Sequence, residues 1–179
     1  MLLALEQFLG DLKPAHRGGV VWDGGKMNLR LHVYITELIP PVELITSVRA
    51  VVRYGELVVL LENPDGVHFL PGGRIEAGEA FEETLKREVA EECGLTLKRS
   101  NLAGFMHFHH LTARPQGYAY PYPDFIHLVY LAESDSPDIR SGDLDGYEQS
   151  ARFGSICEAR NLADVDYALP FLAAVSDNS

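Results

Sequence analysis

Cysteine, basic residues and long apolar runs are all scarce in this chain of 179 residues. The only cysteines, Cys93 and Cys157, are far apart, so the sequence offers neither a disulfide framework nor a zinc site. Against 26 Asp and Glu there are 15 Lys and Arg, which gives a formal net charge of −11. Nucleic acids and anionic membranes need excess basic side chains at the contact, so neither is an expected partner. A polyanionic substrate would need a bridging cation.

The first residues also lack the features of a targeting segment. Glu6 and Asp11 interrupt the apolar stretch, where a secretory signal would have a basic region followed by an unbroken apolar core. Elsewhere no apolar run reaches the length of a membrane span. We therefore expect a cytoplasmic protein with no membrane partner.

The apolar pattern divides the chain into an N-terminal extension, residues 1–45, and a larger domain, residues 46–179. In the extension, apolar residues at helical spacing over residues 2–12 predict a short amphipathic helix. Alternating apolar residues over residues 29–35 predict a strand. We expect the extension either to join the sheet of the larger domain or to form a dimer contact, so a homodimer is one assembly to test.

Within the larger domain, β-rich runs on both sides of Tyr54-Gly55 predict a hairpin. Residues 102–110 and 125–131 predict two further strands. Residues 133–155 are polar, and we expect a loop with little regular structure there. The apolar residues at 161–175 predict a helix that closes the domain.

Acidic residues are concentrated on one predicted helix in the middle of the chain. Glu88, Glu91 and Glu92 are spaced i, i+3, i+4, so they occupy one arc of that helix. Three carboxylates partly withdrawn from water would repel one another unless a cation lay between them. Magnesium is usually held by a few carboxylates, waters and substrate phosphates. The spacing therefore predicts a site for Mg²⁺ (or Mn²⁺) beside the buried stripe of the helix. That stripe consists of Phe81, Leu85 and Val89.

Neighbouring residues support this helix and its acids. Gly94 stands where the helix should stop, at a position suited to a left-handed C′ residue. Arg87 lies four residues after Glu83 and four before Glu91, so it can pair with either and orient Glu91. Glu79 falls in the first turn, where a negative charge complements the helix dipole. For Glu79 and Arg87 we weigh a supporting role and a direct catalytic role equally.

Taken together, these residues resemble the Nudix box, the signature of hydrolases that cleave a diphosphate linked to a variable group. The matching positions are Gly73, Glu79, Arg87, Glu88, Val89, Glu91, Glu92, Gly94 and Leu95. The resemblance implies an α+β fold, an α/β/α sandwich with a mixed central β-sheet. It implies a hydrolase that splits a nucleoside diphosphate-linked compound with metal-activated water. It also implies that the Gly73 carbonyl joins Glu88, Glu91 and Glu92 in binding the metal.

The general base has two candidates. Nudix enzymes draw it either from the box or from a separate loop acid, so the resemblance leaves both Glu88 and Glu148 open. Glu148 lies in a polar loop bounded by glycine, which could fold over the site. A merely solvated loop is the alternative reading of that segment.

Recognition of the substrate is predicted from a group of aromatic residues. They are Tyr118, Tyr120, Tyr122 and Phe125. Flat rings at this density suit the stacking of a nucleobase. Together with the resemblance, this implies a small nucleotide diphosphate as the substrate. The same YPYP segment is also typical of a rigid extended connector. Three nearby histidines could contact phosphate, although strand histidines commonly have no such role. They are His107, His109 and His110.

Two other functions compete with hydrolysis. A catalytically silent, nucleotide-binding sensor domain is one, but every box acid is present and no basic recognition helix is evident. Isomerisation of a prenyl diphosphate on the same fold is the other, and it needs a catalytic cysteine. Neither Cys93, at the end of the box helix, nor the remote Cys157 is an obvious candidate.

Overall fold

The computed structural model describes residues 2–139, 149–163 and 165–176. In this part of the chain, nine strands form one sheet and four α-helices pack against it. The elements in chain order are α1 (Leu2–Leu9), β1 (His16–Trp22), β2 (Met27–Ile35), β3 (Ile45–Tyr54), β4 (Leu57–Asn63), β5 (Gly66–His68), β6 (Gly72–Arg74), α2 (Phe81–Cys93), β7 (Leu97–His110), β8 (Asp124–Ser134), β9 (Ser150–Ser155), α3 (Ile156–Arg160) and α4 (Leu169–Ser176). Among the described helices, none combines the length and the apolar character needed to cross a lipid bilayer.

The sheet is mixed, as the resemblance implied. Its main path runs β1-β2-β7-β8-β3-β4-β5, with β6 paired to β3 and β9 paired to β4. The pairing between β3 and β8 is parallel and the other pairings are antiparallel. Strands β1 and β2 come from the N-terminal extension, and β2 pairs with β7 along its length. The extension is thus part of the same sheet, while a boundary at residue 45 stays a prediction.

Two apolar clusters cover the two faces of the sheet, because neighbouring residues on a strand point to opposite sides. In β4, Val58 and Leu60 belong to one cluster, whereas Val59 and Leu61 belong to the other. Helices α3 and α4 pack on the first face, and α1 and α2 pack on the second. This is the α/β/α sandwich that the resemblance implied.

Helix α2 matches its prediction except at its start, because Glu79, expected in the first turn, precedes the helix and only Glu82 and Glu83 are the acids of that turn. It buries Leu85 and Val89 completely, and Gly94 follows it with φ 64° and ψ 22°, the left-handed geometry of a C′ glycine. At the other end, the Ala80 N–H donates to the carboxylate of Glu83 at 2.9 Å. The apolar stripe and the terminal glycine lie within one short stretch of chain, so this helix could be predicted without knowing its tertiary contacts.

Two predictions near the C-terminus were wrong in part. The segment 133–155 is not loop throughout, because β8 continues to Ser134 and β9 pairs with β4. Strand β9 is short and carries two polar ends and a glycine, so only its distant partner makes it a strand. The closing helix begins only at Leu169, where Pro170 fits a first turn, and α3 precedes it as a separate short helix.

Candidate functional site

The glycine segment before helix α2 brings two acids of that helix together. Strand β6 pairs with β3, which fixes the backbone of Gly72 and Gly73 beside the helix. The Gly72 N–H donates to Glu92 Oε2 at 2.8 Å. A Cβ on Gly73 would lie 2.5 Å from the carboxylate carbon of Glu88. The Glu88 carboxylate can approach position 73 this closely only because glycine has no side chain, and the two acids meet at this turn.

Arg87 connects this turn with three acids. Its guanidinium donates to both oxygens of Glu79, at 2.7 and 3.0 Å, and to Glu88 Oε1 at 2.9 Å. It also donates to Glu91 Oε2 at 3.1 Å and to the Arg74 carbonyl oxygen at 3.0 Å. Arg87 thus makes the bond to Glu91 expected from the helical spacing. The forked pairing with Glu79 is a tertiary contact that the helical spacing did not predict.

The two acids on either side of Arg87 differ electrostatically. Hydrogen bonds from Arg87 are the main cause that lowers the pKa of Glu79 to about 2, so Glu79 is ionised at neutral pH. Burial raises the pKa of Glu88, and the nearby Arg87 opposes that shift. Glu79 is therefore suited to hold Arg87 in place, whereas Glu88 is the acid that more readily accepts a proton.

The chemistry of the donors fits a hard divalent cation, because carboxylate and carbonyl oxygens are the ligands that magnesium prefers. Over residues 2–139, 149–163 and 165–176, however, no three His, Cys, Asp or Glu side chains are arranged as a metal centre. The third box acid, Glu91, has a side chain that is 52% exposed and paired with Arg87. Glu88 and Glu92 are the acids that already lie at the glycine turn.

This turn lines a cleft of about 1750 Å³. Two arginines, Arg49 and Arg74, line the cleft together with Glu88 and Glu92. Aromatic and histidine side chains line much of the rest. They are His16, Trp22, His68, Phe108, Tyr118, Tyr120, Phe125, His127 and Tyr167. The cleft therefore combines acids, cations and flat rings along one continuous surface.

Three of the four aromatic residues singled out in the sequence line this cleft. Tyr118, Tyr120 and Phe125 do so, and the Arg74 guanidinium lies 4.5 Å from the centre of the Tyr120 ring. Tyr122 does not line the cleft; its hydroxyl donates to the Thr112 carbonyl oxygen at 3.0 Å. Tyr122 thus contributes to the shape of the loop that carries Tyr118 and Tyr120.

The three histidines of β7 do not line the cleft. His107 and His109 both hydrogen-bond to Oδ1 of Asp124, at 2.7 and 2.8 Å. His110 contacts the Tyr118 hydroxyl at 3.1 Å. They are strand histidines with structural partners, and His110 supports a residue of the cleft wall.

Several cleft residues were not recognised from the sequence as site residues. Arg49 and His127 lie on β3 and β8, and Trp22 ends β1. A basic residue within an apolar strand was the available signal for Arg49, since such a residue is unusual in an acidic chain. Trp22 and His127 gave no signal, because only the order of the strands brings them together. Glu148 lies outside the described residues.

Comparisons with known proteins agree with this geometry. A family model described as the NUDIX domain matches residues 44–174. The NAD-capped RNA hydrolase NudC of Escherichia coli O157:H7 is 35% identical over 75 residues, which is 42% of this chain and 24% of that protein. The match thus spans about a quarter of this curated relative.

Among solved structures, the pyrophosphohydrolase BsRppH of Bacillus subtilis has a TM-score of 0.59 at 17% identity, over 90% of this chain and 96% of that one. The NUDIX domain of Shewanella oneidensis NrtR, complexed with ADP ribose, has a TM-score of 0.57 at 15% identity, over 76% and 89% of the two chains. These likenesses concern the fold alone.

Proposed function

The chain belongs to the Nudix family, and from that premise we propose that it is a metal-dependent hydrolase. Its substrate would be a nucleoside diphosphate-linked compound, cut at the diphosphate by an activated water. The observation that carries this proposal is the meeting of Glu88 and Glu92 at the Gly72-Gly73 turn, inside a cleft that also contains Arg49. A merely solvated acidic helix would not place two carboxylates against a neighbouring glycine turn.

We assign the cation, Mg²⁺ or Mn²⁺, to Glu88, Glu91, Glu92 and the Gly73 carbonyl. When bound, it would neutralise phosphoryl oxygens and lower the pKa of a coordinated water. Glu91 can join the other acids only if its ion pair with Arg87 opens. Glu91 is half exposed, so opening that pair costs about 0–1 kcal/mol, a small amount beside the binding of a divalent cation.

The proton of the attacking water would pass to an acid of the chain. Glu88 is one candidate, because its partly buried carboxylate lies against the glycine turn where the water would be activated. Glu148 remains the other. Separate Glu88→Gln and Glu148→Gln variants distinguish them, since loss of the base removes the acidic limb of the pH–rate profile.

The cleft supports a substrate with two chemical parts. Its volume of about 1750 Å³ exceeds the roughly 300–1000 Å³ of pockets for drug-sized ligands. One N–H of Arg49 donates to the Leu70 carbonyl oxygen at 3.0 Å. A guanidinium has five N–H donors, so other N–H groups of Arg49 can donate to a phosphate. Arg74 provides a second cation. The aromatic part of the cleft then suits the nucleoside.

Neither cysteine supports the competing isomerase reaction. Cys93 is fully buried and Cys157 is exposed on α3, and neither lines the cleft. A silent sensor domain differs from the hydrolase only in turnover, so a measurement of activity decides between them.

The test is hydrolysis of a panel of nucleotide sugars, dinucleotides and nucleoside triphosphates by the purified full chain. We expect product only with divalent cation, and loss of activity in EDTA. Glu92→Gln should lower kcat on the order of 100-fold or more, although the amide oxygen can still accept from the Gly72 N–H. Glu82→Gln is the matched control, because it removes the same charge from an exposed position of the same helix.

Two results would count against the proposal. Inactivity towards the whole panel in the presence of magnesium and manganese would remove the assignment as a hydrolase. Nucleotide binding without turnover, unchanged in Glu92→Gln, would instead identify a sensor. Light scattering on the full chain, and on a truncation that begins at Ile45, tests the proposed division at residue 45 and the homodimer.

A further inference from the structure

Trp22 occupies an unusual position for the only tryptophan of the chain. It ends β1, in the N-terminal hairpin, and lies outside the family-matched residues 44–174. Even so, it lines the same cleft as Glu88 and Glu92. A tryptophan that only filled the core would be enclosed, whereas Trp22 is partly exposed on the cleft side. The extension therefore contributes a large flat ring to the candidate active site.

The ring of Trp22 belongs to an aromatic wall. Its centre lies 5.0 Å from Phe108 and 6.0 Å from Phe125. The ring of His127 lies 6.2 Å away and is nearly parallel, at 15°. These distances are typical of interacting aromatic side chains, so contacts within the protein hold the wall in place without a ligand. A preformed flat surface binds a planar ring without the cost of ordering its own side chains.

Charges link this wall to the acids at the glycine turn. Arg49 and Arg74 both act on His127, since they contribute to the lowering of its pKa that burial dominates. Arg49 also acts electrostatically on Glu88. Arg49 is therefore within electrostatic reach of both the aromatic wall and the acids, and all of these groups line one cleft. A nucleotide carries the complementary parts, a planar base and an anionic diphosphate.

The alternative stacking surface, Tyr118 and Tyr120, is less available. The Arg74 guanidinium already covers the ring of Tyr120. Tyr118 meets Tyr120 edge to face and its hydroxyl contacts His110. One face of Tyr120 and the polar end of Tyr118 are thus engaged within the protein.

We propose that Trp22 is the stacking surface for the planar base of the nucleotide, so the N-terminal extension determines which compounds the enzyme accepts. This inference rests on the proposed function, because it assumes that the diphosphate lies at the acidic end of the cleft. It assigns a specificity role to a residue outside the Nudix box and outside the family-matched segment.

The single tryptophan makes the test direct, because protein emission excited at the indole band reports on Trp22 alone. The Glu92→Gln variant of the full chain, in magnesium, is titrated with AMP, GMP, UMP, CMP and nicotinamide mononucleotide. Ribose 5-phosphate and inorganic pyrophosphate are the matched probes without a base. We expect at least one nucleotide to change the emission at saturation while both base-free probes leave it unchanged. If none of the five nucleotides changes it, the proposal is overturned.

Affinity gives a second measurement. Trp22→Ala should raise the Kd of the responding nucleotide about 10- to 100-fold, the scale of base stacking on an aromatic side chain, and leave pyrophosphate binding unchanged. Trp22→Phe keeps a ring and should lose less than Trp22→Ala, which also guards against a folding defect in the alanine variant. If Tyr120→Ala weakens nucleotide binding and Trp22→Ala does not, the base stacks elsewhere.

The two proposals fail in different ways. Base-dependent emission without hydrolysis would remove the enzymatic function and keep the role of Trp22. Hydrolysis with the same KM in wild type and Trp22→Ala would keep the function and remove the role of Trp22.

Discussion

Alanine substitutions at the neighbouring glycines Gly72 and Gly73 should separate effects on folding from effects on function. We expect Gly73→Ala to affect activity and Gly72→Ala to affect stability. In Gly73→Ala the new methyl group would lie 2.5 Å from the Glu88 carboxylate, whereas ordinary contacts begin near 3.4 Å. Glu88 must therefore retreat by about 1 Å, and a displacement of that size in a reacting group costs on the order of 100-fold in rate. The backbone at position 73 needs no left-handed geometry, so stability should change little.

Gly72→Ala should have the opposite effect. Gly72 has φ +133°, and a Cβ there would meet the Val48 carbonyl oxygen and lie 2.7 Å from the Arg49 Cα. These are backbone atoms of a central strand and cannot turn aside. Strain and overlap together should cost about 3 kcal/mol. For a chain of this size that lowers Tm by about 6–12 °C.

The assay pairs thermal unfolding with two functional measurements, kcat on the best substrate and calorimetric binding of Mn²⁺. Gly73→Ala should keep the Tm of wild type but lose rate and metal affinity. Gly72→Ala should lose Tm. Full activity and full Mn²⁺ affinity in Gly73→Ala would refute the reasoning, because the approach of Glu88 to Gly73 would then have no role in the site.

Two further predictions concern charges around the cleft. Arg87→Lys cannot reproduce the forked pairing with Glu79, so kcat should fall on the order of 10- to 100-fold, while Lys86→Ala at an exposed position of the same helix should leave kcat unchanged. Equal activity of the two variants would exclude an orienting role for Arg87. Burial holds the pKa of His127 well below 6.5, so the unfolded chain binds the proton first and stability falls as the pH drops below that value. We expect wild type to lose about 1 kcal/mol more than His127→Phe between about pH 7.5 and about pH 5.5, measured by urea unfolding, and parallel losses in the two proteins would show that His127 does not contribute.

Much of the fold follows from local patterns. Helix α2 was predictable because its apolar stripe, its acids and Gly94 lie within one stretch of chain. Strand β2 was predictable from its alternation of apolar and polar residues. Strand β9 was not, because it acquires its structure by pairing with β4, nearly 90 residues earlier in the chain. A short strand of mixed composition has no period long enough to recognise.

The candidate site divides in the same way. Glu88 and Glu92 were predictable as a pair because a helix converts their spacing into a shared face. Their meeting with Gly72 and Gly73 was only implied by the resemblance. Trp22 and His127 could not be placed, since their proximity depends on β1, β2, β7 and β8 being consecutive in the sheet. Sequence patterns thus identify residues within an element more readily than contacts between elements.

The arrangement of charge explains why an acidic chain suits an anionic substrate. At the glycine turn, one guanidinium, Arg87, faces the carboxylates of Glu79, Glu88 and Glu91. Glu79 stays ionised because Arg87 lowers its pKa to about 2. Its carboxylate therefore neutralises much of the positive charge of the Arg87 guanidinium. The four acids Glu79, Glu88, Glu91 and Glu92 outnumber the three nearby guanidinium groups of Arg49, Arg74 and Arg87, so an excess of negative charge remains. A divalent cation can cancel this excess and still present positive charge to a diphosphate. The arginines that line the rest of the cleft can then bind the outer oxygens of the diphosphate.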